Sequence, residues 1–125
     1  MKGALDTVEE TKEKIFVYGT LKKGKQFNYL LSKAKFIGDA ETVERYSLYF
    51  DGIPYLVKSD EVSYVKGEVY DIDSEMLKMI DAFEDHPNYY VREKIKVKLT
   101  GGDILSVWAY FFPEKRGKLI ETGEY

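Results

Sequence analysis

Lys14-Ile15-Phe16-Val17-Tyr18-Gly19-Thr20-Leu21-Lys22-Lys23-Gly24 carries four consecutive apolar or aromatic residues straight into a glycine-punctuated turn. An unbroken run of this kind reads as a strand buried on both faces. A buried strand that stops at Tyr18-Gly19 delivers the amides that follow to a fixed place, and Gly19 lets another group approach the main chain closely. Fixed, unpaired amides form an anion or oxyanion site. Tyr18, Gly19, Thr20 and Leu21 are therefore candidate substrate-binding residues, with Tyr18 either walling a pocket or packing in the core.

The same segment satisfies G-x-x-x-x-G-K from Gly19 to Lys25, the spacing of a phosphate-binding loop. It departs from that motif at Gln26, where a Ser or Thr hydroxyl is needed for magnesium, and the chain beyond lacks the α/β alternation in which such loops sit. A nucleotide-binding protein using Gly19 to Lys25 stands as an alternative.

Outside this stretch, 125 residues with 44% hydrophobic and 15% aromatic content suit one domain with a real core. Eleven tyrosines favour half-buried sheet faces, since each ring is apolar and each hydroxyl can find a polar partner. Nineteen Lys and Arg against 22 Asp and Glu leave a formal charge of −3 with no dominant basic cluster, so no nucleic-acid footprint is expected. The absence of cysteine excludes disulfides, thiolate metal sites and a cysteine nucleophile, and the single His86 argues against a histidine metal site. No metal or other cofactor is expected. No stretch reads as a signal peptide or a membrane span, which predicts a soluble, cytoplasmic protein. Oligomeric state carries no sequence signal.

Residues 1–13 read as a polar, flexible leader ahead of a domain spanning 14–125. After Gly24, Phe27, Leu30 and Leu31 recur at helical spacing, predicting a short helix to about Ser32. The stretch from Val43 to Asp73 alternates and turns, with Asp51-Gly52 as a hairpin signal and Pro54 marking a strand start, a bulge or an edge. A three-stranded antiparallel meander is expected there. Asp73 and Ser74 are N-cap candidates for a second helix whose apolar face is Met76, Leu77, Ile80 and Phe83, with Lys78, Asp81 and Asp85 toward water. Lys94 to Leu99, Gly101-Gly102 and Ile104 to Phe112 form a further hairpin, and Glu114 to Tyr125 reads as a polar tail anchored by Leu119-Ile120. The order predicts an α+β domain: a mixed, mainly antiparallel, barrel-like sheet with two short helices.

Glu84 follows Ile80 by four residues and Leu77 by seven, which puts a carboxylate on the core-facing side of the second helix. Desolvation there raises its pKa, and the negative end of the helix dipole acts in the same direction. A carboxyl tuned upward can take and return a proton near neutral pH. The alternative is that the helix frays before His86-Pro87 and Glu84 bends outward or pairs with Arg92 or a lysine.

Two motifs in this order resemble the γ-glutamyl cyclotransferase-like family, of the γ-glutamylamine cyclotransferase or AIG2-like type. The first is Val17-Tyr18-Gly19-Thr20-Leu21 with Gly24. The second is Asp81-x-x-Glu84 at a helix end, followed by Pro87 and then Tyr90-x-Arg92. Gly67-Glu68-Val69-Tyr70 and Thr122-Gly123-Glu124-Tyr125 are similar to further family segments, so the resemblance spans residues 14 to about 112 with an echo in the tail. It implies conversion of a γ-glutamyl amine or γ-glutamyl amino acid to 5-oxoproline, with Glu84 as catalytic acid/base and no metal or cofactor. The substrate's own α-amino group attacks its γ-carbonyl, so no covalent enzyme nucleophile is needed.

Where the family often places a tyrosine two positions after an aromatic, this chain has Phe112. Either that hydroxyl is missing or Tyr110 supplies it from a shifted register, so Tyr110 joins the candidate substrate-binding residues. Arg92 is expected to be a structural partner of a carboxylate or carbonyl, His86 a loop residue, and Lys22, Lys23 and Lys25 a solvated face that could steer a substrate carboxylate. A non-catalytic module binding γ-glutamyl ligands in the same pocket is the remaining alternative.

Overall fold

Ile15, Phe16 and Val17 are all buried, and the strand they form is the seam of the molecule. The computed structural model describes residues 12–125. Strand β1 (Lys12–Val17) runs antiparallel to β5 (Lys66–Asp73) in continuous register from Lys12↔Asp73 to Val17↔Glu68, and meets β7 (Ile104–Phe111) in parallel at Ile15↔Trp108. With β2 (Lys35–Thr42) and β6 (Val91–Leu99), these strands close a barrel in the order β1-β5-β2-β6-β7. Closure removes the exposed edges that an open sheet of such apolar strands would present. A strand apolar on both faces is what this position needs: Ile15 and Val17 pack in one core with Leu77 and Ile80 of the α-helix, while Phe16 packs with Val69, Val97 and Val107 in the other.

The predicted meander is corrected. Strands β3 (Ser47–Asp51) and β4 (Ile53–Val57) form the expected hairpin around Gly52, whose φ of 78° suits glycine. Strand β5, however, leaves them and enters the barrel between β1 and β2. Its run Gly67-Glu68-Val69-Tyr70 is buried on both faces, so it needs barrel neighbours on each side. The hairpin's third partner is instead β8 (Lys118–Leu119), which pairs Tyr49↔Leu119 and Phe50↔Lys118. Pro54 sits on the edge strand β4 of that small sheet, where its missing N–H is harmless.

The helix count also changes. The segment after Gly24 closes as a short 3-10 turn, Asn28–Leu31, and among the described residues only α1 (Ser74–Phe83) is an α-helix. Asp73 caps it, its Oδ1 accepting the Met76 N–H at 2.8 Å.

The tail is more than a polar appendage. Ile120 donates its N–H to the Leu48 carbonyl at 2.7 Å and Lys66 donates to the Gly123 carbonyl at 2.8 Å, tying the small sheet and the barrel together. At the other end, Lys12 and Glu13 belong to β1, and the Glu13 carboxylate accepts from the Trp108 indole at 2.9 Å. The leader expected over residues 1–13 thus begins outside the described residues, which start at Lys12. No helix among the described residues is long and apolar enough to cross a membrane.

Candidate active site

The turn after β1, the end of α1, the β3–β4 hairpin and β7 enclose a cavity of about 330 Å³. Tyr18, Gly19, Thr20 and Leu21 line one side of it, and Glu84 and Asp85 line another. Tyr110 also borders it, so every candidate site residue named from the sequence contributes to this one cavity.

The turn is held from within. Lys22 donates its N–H to the Gly19 carbonyl at 3.0 Å, and Phe27 donates to the Thr20 carbonyl at 2.9 Å. Asn28 Nδ2 donates to the Leu21 carbonyl at 2.8 Å. Among the described residues, the hydrogen bonds of this turn include none donated by the amides of Gly19, Thr20 or Leu21. The close approach that Gly19 permits is to Pro54, whose ring occupies the space of a side-chain Cβ. A protein side chain, then, sets the glycine requirement. No α-helix follows the turn, as a phosphate-binding loop would need.

Lys23 and Lys25 are exposed, as expected of a solvated face, and Lys22 departs from it. Lys22 is buried with its ammonium donating to the Tyr125 carbonyl at 2.7 Å, Lys23 lies 3.3 Å from the Phe36 ring centroid, and Lys25 lies 4.7 Å from that of Tyr125. None of the three lines the cavity.

The end of α1 aims Glu84. Asp85 adopts the left-handed conformation (φ 56°), its N–H bonds the Ala82 carbonyl at 3.2 Å, and the His86 N–H bonds the Asp81 carbonyl at 2.9 Å. These are the paired bonds of a Schellman cap, so the helix stops cleanly and does not fray. Glu84 is the half-buried capping residue itself. Burial pushes its carboxyl up to about 7. No ion pair among the described residues involves it: Arg92, its partner in the alternative reading, binds the Asp81 carboxylate through Nε at 2.8 Å and Nη2 at 3.0 Å, the structural pairing expected of that arginine. Asp81, expected toward water, also accepts the Tyr110 hydroxyl at 2.6 Å. It faces β7 because residues three and four apart share a helix face, and Asp81 is three before Glu84.

Aromatic rings complete the walls. The Tyr18 hydroxyl donates to the Tyr110 carbonyl at 2.7 Å, and burial raises its pKa well above the usual tyrosine value. Tyr18 therefore both lines the cavity and packs in the core. Tyr90 donates to the Pro54 carbonyl at 2.9 Å. Phe83, counted on the apolar face, is 39% exposed and meets the edge of Phe27 with centroids 5.0 Å apart at the cavity rim. The β6–β7 ladder pairs Arg92↔Tyr110 in unbroken register, and Tyr110 borders the cavity. Phe112 is absent from the lining and packs instead against Tyr55, Tyr89 and Tyr90. Tyr89, Ile53, Pro54, Phe27 and Asp85 also line the cavity and were not among the candidate site residues, because an apolar or loop residue carries no chemical signal of its own in the sequence.

Chemically, a carboxyl that titrates near neutrality faces a turn rich in main-chain donors across a cavity with largely aromatic and apolar walls. Among the described residues no cluster of three or more His, Asp or Glu could hold a metal ion.

The sequence profile described as "Gamma-glutamyl cyclotransferase, AIG2-like" matches residues 15–125. A Methanocaldococcus jannaschii protein provisionally named a gamma-glutamylcyclotransferase is 44% identical over 115 residues, covering 90% of this chain and 95% of that one. The Bos taurus gamma-glutamylaminecyclotransferase is 40% identical over 96 residues, 70% of this chain and 57% of its own length. The crystal structure of an AIG2-like protein from Mus musculus superposes with a TM-score of 0.73 at 33% identity, covering 80% of this chain and 76% of that one.

Proposed function

The chain belongs to the gamma-glutamyl cyclotransferase, AIG2-like family, and from that premise we propose that it cyclises a γ-glutamyl amine or γ-glutamyl amino acid to 5-oxoproline with Glu84 as proton carrier. The observation that carries this reading is that Glu84, with its carboxyl raised to about 7 by burial, shares one cavity with the Tyr18–Leu21 turn. In the proposed sequence the Glu84 carboxylate takes a proton from the substrate's α-ammonium. The freed amine attacks the γ-carbonyl, forming the ring C–N bond and a tetrahedral oxyanion. Glu84 returns its proton to the leaving nitrogen as the old γ-amide bond breaks, and the ring nitrogen, cationic since the attack, passes its excess proton to the departing amine, releasing 5-oxoproline and the ammonium form of the amine.

Holding nucleophile and electrophile in ring geometry supplies most of what an intramolecular reaction needs. The amides of Gly19, Thr20 and Leu21 are suited to anionic oxygen, either the α-carboxylate or the developing oxyanion, and one such donor typically contributes ~3 kcal/mol to the transition state. A pKa near the working pH suits a group that must both accept and donate.

The lining also bears on the leaving group. Among the described residues its only charged members are Glu84 and Asp85, both acidic, and no described lysine or arginine lines it. A leaving group with a carboxylate beside the scissile nitrogen would bury that charge without a cation. The cavity therefore favours γ-glutamyl amines over γ-glutamyl α-amino acids, in keeping with the name of the Bos taurus relative.

Incubation with a panel of γ-glutamyl amines and γ-glutamyl amino acids, monitored by 5-oxoproline release, tests the reading. Release is expected, faster from the amines, and reduced to a small residue in Glu84→Gln with substrate binding retained. Binding of the panel with no 5-oxoproline would identify a binding module instead.

A further inference from the structure

Asp81 lies one turn before Glu84 on α1, and both of its oxygens are engaged. Oδ1 accepts from the Tyr110 hydroxyl at 2.6 Å and from Arg92 Nε at 2.8 Å, and Oδ2 accepts from Arg92 Nη2 at 3.0 Å. The Arg92 guanidinium in turn lies 4.2 Å from the Trp108 ring centroid, and the Arg92 N–H donates to His86 Nδ1 at 3.1 Å. With the bond from Tyr18 to the Tyr110 carbonyl, one connected chain runs His86–Arg92–Asp81–Tyr110–Tyr18. It joins the loop after α1, strand β6, α1, strand β7 and the turn after β1. It includes residues on either side of Glu84 but not Glu84 itself.

From this we infer that Asp81 is a positioning residue: by clamping the end of α1 to β6 and β7 it holds Glu84 toward the Tyr18–Leu21 turn and out of water. An exposed ion pair would do little of this. The Asp81–Arg92 pair is bidentate and half-buried, and it recruits the hydroxyl of a cavity-lining ring, geometry that fixes orientation as well as distance. Burial opposes the charge on Asp81, but the bonds from Arg92 and Tyr110 outweigh it and hold the carboxyl below its usual range. Tyr110 keeps its proton, first through burial and then through its bond to Asp81, so its hydroxyl acts as a donor to Asp81. Two carboxyls on one helix are thereby driven apart, one fixed as an anion and one left near neutrality. The groups facing Glu84 are the phenols of Tyr18, Tyr90 and Tyr110, with Asp85 adjacent in the lining. With no cation among them, the titration of Glu84 reports chiefly on its hydration.

The test pairs carboxyl-carbon NMR titration of Glu84 with 5-oxoproline release, in wild type, Asp81→Asn, Tyr110→Phe and the double variant. Only the second readout rests on the cyclotransferase reading. Loosening the clamp rehydrates Glu84, so its titration is expected to move down by about one pH unit or more in both single variants. On a γ-glutamyl amine, kcat is expected to fall about 10- to 100-fold with KM within about threefold, because misplacement by about 1 Å has that scale of effect. The double variant should be no worse than the poorer single one, since both break the same bond. Tyr110→Phe removes one oxygen from a packed ring and Arg92→Lys keeps the charge while losing the fork, so either can replace Asp81→Asn should it fail to fold. Wild-type titration and wild-type kcat in Tyr110→Phe, or losses that multiply in the double variant, would overturn the inference. No turnover by wild type would sink the cyclotransferase reading, and near-wild-type turnover in Glu84→Gln would sink only its assignment of the proton to Glu84; either leaves the titration to decide the clamp.

Discussion

Burial of the Glu84 carboxyl weakens the fold around it. Its carboxyl titrates near 7 in the folded chain because burial disfavours the charge, against about 4.3 in an unfolded one. The folded state therefore binds more protons than the unfolded state between those values, and stability falls as pH rises through that window. At pH 8 the ionised group costs on the order of 1–3 kcal/mol, allowing for its partial exposure. Glu84→Gln is expected to be more stable than wild type by that amount at pH 8 and nearly equal to it at pH 4, measured by urea denaturation. Asp81 has the opposite sign: its lowered pKa adds stability above the unfolded value, lost as pH falls through the folded one. Gly19 carries a different constraint. A Cβ there would strike the Pro54 ring, which cannot swing aside, so Gly19→Ala should destabilise by about 1–3 kcal/mol. Equal midpoints for Gly19→Ala and wild type in the same urea experiment would refute that packing argument.

Helix α1 was the most legible element, since its cap, its apolar stripe and its end were all written in residue order. Asp73→Ala should cost about 1 kcal/mol in urea denaturation by leaving the Met76 amide unpaired. The stripe placed Glu84 correctly because Leu77 and Ile80 are buried and Glu84 continues their row. It misplaced Asp81, because periodicity separates apolar from polar faces and cannot foresee that Arg92 and Tyr110 wait on neighbouring strands for a carboxylate. The 3-10 turn at Asn28–Leu31 was read as a helix for a related reason. Phe27, Leu30 and Leu31 have helical spacing, yet the loop is shortened by the Phe27 to Thr20 bond and by Asn28 binding back to Leu21.

At the scale of the whole molecule, the barrel-like sheet followed from the order of strands and helices, whereas the second sheet did not. Strand β8 is two residues long and is recruited by backbone bonds to β3, which no side-chain pattern announces. Ending the chain at Gly117 would strip β3 of that partner and remove the ties at Leu48 and Lys66. The truncated protein is expected to unfold at a lower temperature and to aggregate through the bared edge, read by thermal melting and light scattering. The site is likewise a property of the closed molecule, because strand pairing is what carries Glu84 and the Gly19 turn to one cavity. We propose that Glu84 moves the proton there, and the pH dependence of 5-oxoproline release tests this most directly. The wild-type kcat/KM should rise with pH and level off above an apparent pKa of about 7, and the residual activity of Glu84→Gln should lack that limb. An identical limb in both proteins would contradict it.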